Sequence, residues 1–131
     1  MRSLEQIVIN TAGTYGIAAS RIAEPGYSGV WVGNEKIAAI GLKVRRWVSM
    51  HGIAVNVDPD MQYFANIVPC GISDTDKSVG SLRRLNTSIT LAAVTNELRK
   101  QFMQEMNVIA GSTREGDDAV EFLQRKFSNI S

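Results

Sequence analysis

The chain holds a single cysteine in 131 residues, Cys70, set in the stretch Asn66-Ile67-Val68-Pro69-Cys70-Gly71-Ile72-Ser73. Two readings of it are open. A lone cysteine packs as a small hydrophobe. It also serves as a nucleophile where the backbone lifts it from the core. Pro69 fixes its own φ and donates no hydrogen bond, and Gly71 tolerates positive φ, so a turn here can aim the sulfur at a cleft. A thiol nucleophile then needs a nearby cation, a general base or a helix N-terminus to become thiolate. The candidates are the only histidine, His51, and the lysines. His51 stands before Gly52 at a strand entrance, where a hydrogen-bonded structural role competes with a supporting one. Lys36 opens a strand whose next residues, Ile37, Ala38, Ala39 and Ile40, are small or apolar. Desolvation there lowers a lysine's pKa and lets it carry a proton near neutral pH. Spacing alone does not bring Lys36 to Cys70, and composition alone favours an exposed hairpin lysine.

Other chemistries find no support. One cysteine and one histidine cannot assemble a zinc set, so no metal is expected. Gly13 and Gly16 follow a helix instead of opening one, and neither GxGxxG nor GKS/T occurs, so nothing suggests nucleotide binding. Met103 and Met106 read as packing. The formal charge is +1, which gives no general attraction to nucleic acid or an anionic membrane. No apolar run approaches membrane-spanning length. A single cysteine cannot form an internal disulfide, and Met1-Arg2-Ser3-Leu4-Glu5 is no secretory signal, so an intracellular protein is expected.

The elements that must position these groups follow from the pattern. At 44% hydrophobic and 21% charged, the sequence suits one globular domain over residues 1–131. Ser3 with Gln6 suggests a capping box for a first helix whose stripe is Leu4, Ile7, Val8, Thr11 and Ala12, ended by Gly13 and Gly16. Residues 17–28 form a connector with a turn at Pro25-Gly26. Gly29-Val30-Trp31-Val32 and Lys36 to Leu42 read as a hairpin about Gly33-Asn34-Glu35, with Lys36, Ala38, Ile40 and Leu42 on one face. Lys43, Arg45 and Arg46 follow as either a solvated edge or a landing site for an acidic partner, and Trp47 to Met50 continue extended. Ile53, Val55 and Val57 share a face of a further strand. Asp58-Pro59 starts a short helix, Asp60 to Asn66, that buries Met61 and Phe64. Residues 73–88 are polar and turn-rich. A longer helix spans about Thr90 to Asn107 with the stripe Leu91, Val94, Leu98, Phe102 and Met106, and a weak one runs from about Asp117 to Phe127. The order predicts an α+β (mixed α/β) domain with its strands in the middle.

Four blocks then resemble one family in unbroken order: Gly29-Val30-Trp31-Val32, Lys36 to Val44, His51 to Val57, and Phe64-x-x-Ile67-Val68-Pro69-Cys70-Gly71-Ile72. Arg2-Ser3-Leu4-Glu5 and Val79-x-Ser81-Leu82 extend the likeness. The chain resembles the lipoyl(octanoyl) transferases, which make the octanoyl precursor of protein-bound lipoate. The resemblance implies a fold like the C-terminal part of the biotin/lipoate protein ligase catalytic domain. It implies that Cys70 accepts the acyl group as a thioester and that Lys36 lowers the thiol pKa and moves its proton. Ala39, Ile40, Gly41, Gly52, Ile53 and Ala54 would line the acyl site, with His51 as support. The implied reaction takes octanoyl (or lipoyl) from acyl carrier protein to a lysine of a lipoyl-domain protein, such as a 2-oxoacid dehydrogenase E2 subunit or the glycine cleavage H protein. No ATP and no cofactor is implied, because a thioester is already activated. The acidic character typical of such partners favours Lys43, Arg45 and Arg46 as a docking patch.

The family's N-terminal segment with an Arg-Gly-Gly…Thr-x-His-x-Pro-Gly-Gln signature has no counterpart here; Arg21 is followed by Ile22-Ala23. An N-terminally truncated catalytic domain is therefore expected, with cytoplasm, mitochondrion or plastid as its compartment. A non-catalytic member that only binds lipoyl domains or acyl carrier protein is the alternative.

Overall fold

The computed structural model describes residues 1–46, 48–50, 52–64 and 76–107. Helix α1 (Arg2–Thr14) forms because Ile7, Val8, Thr11 and Ala12 fall on one stripe and are buried together. It begins two residues earlier than the Ser3–Gln6 box requires. Met1 takes the N-cap position without a side-chain cap, and Gln6 instead donates to Asn10 Oδ1 at 2.8 Å. Gly16, at φ 73°, ends it, its N–H donating to Gly13 O.

Strands β1 (Val30–Val32) and β2 (Glu35–Ile40) form the expected hairpin, with Gly33 at φ 58° in a two-residue turn. Trp31 pairs with Lys36 and Val30 with Ala38, so a bulge lies between Val30 and Trp31. On its other edge β2 pairs antiparallel with β5 (Ile53–Val55) in the register Ala38 to Val55, Ala39 to Ala54 and Ile40 to Ile53. Between them the chain makes a separate two-stranded ladder, β3 (Lys43–Arg45) with β4 (Val48–Met50). The expected continuous extension from Lys43 to Met50 is thus broken by a reversal. Arg46 takes φ 50° there, a left-handed turn on a residue that carries no turn signature.

Of the stretch expected to be polar and turn-rich, residues 76–88 hold more order than their composition suggests. Strand β6 (Ser78–Val79) lies parallel to β2, with Ser78 opposite Glu35 and Val79 opposite Lys36. The Gly80 N–H donates to Lys36 O at 3.0 Å, and Asn56 Nδ2 donates to Gly80 O. Helix α2 (Leu82–Leu85) follows and buries Leu82. The helix expected to start at Asp58-Pro59 is a single 3₁₀ turn, Met61–Phe64, with no buried residue. Asp58 pairs with Arg83 at 2.6 Å, while Asp60 Oδ1 accepts from the Gln62 N–H.

Helix α3 (Leu91–Glu105) starts where Thr90 Oγ1 accepts from the Ala93 N–H at 3.3 Å. Thr90→Ala is expected to lower stability by about 1 kcal/mol, read as a shift in the urea midpoint. Of its stripe only Val94 is fully buried, and Leu98 is half-buried. Leu91, Phe102 and Met106 stay exposed. Helices α1 and α3 pack on each other, and the core joins Val8, Ala12, Val30, Ile37, Leu82 and Val94. The helix expected over Asp117 to Phe127 lies outside the described residues.

Candidate functional site

The best-built environment surrounds Lys36. It is 7% exposed, where composition alone favoured an exposed lysine. The cause is tertiary. Trp31, its cross-strand partner, is fully buried, and the Lys36 Nζ lies 5.5 Å from the centre of the indole ring. That placement lets the ring face attract the ammonium where water is scarce. Tyr27 meets Trp31 edge-on at 6.0 Å, and the indole N–H donates to Tyr27 O at 3.1 Å. The connector closes over this pair: Ser20 and Trp31 exchange two backbone hydrogen bonds, 2.8 and 2.9 Å long.

The opposite wall is Gly29. Its φ of 126° belongs to glycine, and a Cβ added there would stand 2.7 Å from Lys36 Cε and 2.4 Å from Ala38 O. The lysine stem therefore runs against bare backbone. The Gly29 N–H points to Glu5 Oε1 at 3.4 Å, and Glu5 Oε2 is bound by Arg21 Nε at 2.9 Å. Glu5 is 8% exposed. Sequence reasoning missed it, although it sits three residues before Val8 and seven before Ala12, on the stripe that packs inward.

Ala39, Ile40, Gly41, Gly52, Ile53 and Ala54 line one shallow depression of about 420 Å³. The β2–β5 register brings them together: Ala39 faces Ala54, Ile40 faces Ile53, and the Gly41 N–H donates to Gly52 O at 3.0 Å. Ala39 and Ala54 are exposed. A Cβ at either glycine would meet nothing within 4 Å, and neither has positive φ. Neither local sterics nor backbone conformation demands glycine at these two positions.

Lys43, Arg45 and Arg46 are all exposed along the β3–β4 ladder, Lys43 at its base and the two arginines at its turn. Pairing of Lys43 with Met50 and of Arg45 with Val48 puts two cations and two exposed apolar side chains on one face. Cys70 and His51 lie outside the described residues. Asn34 Nδ2 reaches Asp76 Oδ2 at 3.5 Å, and β6 follows alongside Lys36. Among the described residues no group of three or more histidine, cysteine or acidic side chains could hold a metal, and no helix is long and apolar enough to cross a membrane.

The profile of the lipoyl protein ligase A/B catalytic domain matches residues 1–103. The chain belongs to that family. Within the lipoyl protein ligase A/B family its relatives include an octanoyltransferase of Synechococcus sp. (strain JA-3-3Ab), 49% identical over 104 residues, which are 79% of this chain and 38% of the relative. The octanoyltransferase of Rhizorhabdus wittichii is 43% identical over 121 residues, 89% of this chain and 52% of the relative. The chain spans about half or less of the length of these curated relatives. Among solved structures, lipoate-protein ligase A bound with ATP superposes with a TM-score of 0.73 at 16% identity, covering 98% of this chain and 53% of that one. The T. acidophilum protein Ta0514 with bound lipoic acid gives 0.72 at 15%, with the same coverage. These likenesses establish the mixed fold expected of a biotin/lipoate ligase-like catalytic domain.

Proposed function

We propose that this chain is part of an octanoyltransferase that moves an octanoyl or lipoyl group from acyl carrier protein to a lysine of a lipoyl domain, through a thioester on Cys70. The observation that carries the reading is the burial of Lys36 between Gly29 and Trp31, in a chain whose curated relatives are octanoyltransferases. A lysine with no catalytic or ionic task is seldom buried, because desolvation penalises its charge.

In the first step the Cys70 thiolate attacks the thioester carbonyl of the donor. A new carbon–sulfur bond forms, the bond to the carrier's thiol breaks, and the proton taken from Cys70 by Lys36 passes to the leaving thiolate. In the second step the acceptor lysine's neutral amine attacks the Cys70 thioester. The carbon–nitrogen bond forms, the carbon–sulfur bond breaks, and Lys36 relays the amine's proton back to the Cys70 sulfur. Neither step needs ATP.

The depression between β2 and β5 supplies the apolar floor for the acyl chain, each buried methylene contributing about 0.8 kcal/mol. Gly41 and Gly52, required by neither packing nor φ, leave room for a ligand there. The cationic β3–β4 ladder continues from the same two strands, so an acidic carrier docked on Lys43, Arg45 and Arg46 would stand beside the acyl site. The pair Lys43→Glu and Arg45→Glu is expected to raise KM for acyl carrier protein about tenfold at low salt, with the effect shrinking as salt is added. A KM unchanged at low salt would remove the docking role.

The test of the whole reading is intact-mass spectrometry after incubation with octanoyl-acyl carrier protein, beside a Cys70→Ser control. One octanoyl adduct, absent from the control and discharged by a lipoyl domain, is expected. A folded sample that takes no adduct yet binds a lipoyl domain supports the non-catalytic reading.

A further inference from the structure

We propose that Glu5 is a positioning residue for Lys36, acting through the backbone of Gly29; the inference rests on the reading of Lys36 as the partner of Cys70. Three contacts in series support it. Arg21 closes over the first turn of α1, its Nη2 donating to Arg2 O and to Gln6 Oε1, both at 2.9 Å, while its Nε holds Glu5 Oε2 at the same distance. The second Glu5 oxygen accepts from the Gly29 N–H in a buried setting. Gly29 in turn leaves no space for a Cβ against Lys36 Cε.

The lysine stem is thus confined between a rigid wall and a held one. Trp31 is fixed by burial, by its hydrogen bond to Tyr27 O and by the Ser20 bridge. Gly29 is a left-handed glycine just before β1, the kind of segment that moves unless its amide is held. The Glu5 carboxylate is what holds it. An aspartate cannot substitute, being one methylene shorter, whereas glutamine keeps the length and one carbonyl acceptor. The neighbouring pair of Arg21 neutralises the Glu5 charge, so the effect on Lys36 comes from geometry and not from a long-range field. Loss of the acceptor frees Gly29 to shift, and the Lys36 ammonium loses its fixed position.

The experiment is the rate of Cys70 alkylation by iodoacetamide at neutral pH in the intact chain, with Tm measured on the same samples. Direction separates the two explanations. Loosened structure exposes a thiol and speeds alkylation, whereas loss of lysine assistance slows it. Glu5→Ala is expected to slow alkylation about threefold to tenfold, the equivalent of up to one unit in thiol pKa. Glu5→Gln should retain the rate within about twofold, since the acceptor survives. The double variant Glu5→Ala with Lys36→Met should be no slower than Lys36→Met alone. Where Glu5→Ala does not fold, Arg21→Met on the outer side of the clamp replaces it, with the same slowing expected. An unchanged or faster rate in these variants, while Lys36→Met is slow, overturns the role of Glu5 and leaves the Lys36–Cys70 reading intact. A rate unaffected by Lys36→Met overturns both.

Discussion

Lys36→Met is expected to slow acyl loading of Cys70 by about two to four powers of ten, the range for loss of a positioned proton carrier. Methionine has nearly the length of the lysine stem and no charge. It keeps contact with the Trp31 ring and passes under Gly29 without a clash. Lys36→Arg is not expected to rescue. Its guanidinium does not give up a proton at accessible pH. Loading is followed as the time course of the octanoyl adduct under single-turnover conditions. The alkylation profile of Cys70 should also move to higher pH in Lys36→Met. A nearby cation stabilises the thiolate and lowers the thiol pKa, so its removal raises the midpoint. Loading within threefold of the parent would sink the assignment of Lys36 as proton carrier.

Trp31→Ala should produce the largest loss of stability, about 3–5 kcal/mol, a large part of the roughly 5–15 kcal/mol that holds a domain together. Among the described residues the side chain is the largest that is fully buried. Its removal deletes the ring contact with Tyr27 and the hydrogen bond to Tyr27 O. It also takes away the surface under Lys36. Trp31→Phe keeps most of the apolar area and loses the indole donor, leaving Tyr27 O to find another partner at a cost of about 1 kcal/mol. Urea titration followed by circular dichroism reads both, since the fluorophore itself is altered. A midpoint for Trp31→Ala near that of the parent would mean the burial of this ring contributes little.

Local signals in the sequence reached the elements whose geometry is set locally. The Gly33-Asn34 turn and its flanking β-formers fixed β1 and β2, and Thr90 with its following stripe placed α3 to within a turn. What escaped was set by distant parts of the chain. Strand β6 is two residues long and pairs in parallel, so no hairpin turn announces it. The reversal at Arg46 uses a left-handed residue that is not glycine or asparagine. Asp58 looked like a helix cap and instead meets Arg83, twenty-five residues away in the chain. The burial of Lys36 depends on a cross-strand tryptophan and a glycine seven residues upstream, and nothing in its own neighbourhood requires it. Glu5 was read as part of a likeness and not as a buried side chain. The six residues assigned to the acyl site came from family resemblance, and the β2–β5 register explains how two separate stretches can line one depression.

Strand β2 is bonded along both edges, by β1 on one side and by β5 and β6 on the other. Its amides from Lys36 to Ala38, where ladders run along both edges, should therefore be the slowest in the sheet to exchange with deuterium. The proposed proton carrier stands on this least yielding stretch of backbone, while the exposed β3–β4 ladder can fray independently. On the proposed reading, substitutions that loosen β2 would cost turnover and foldedness together, whereas drift at the hairpin tip would retune the proposed docking without disturbing the proposed chemistry.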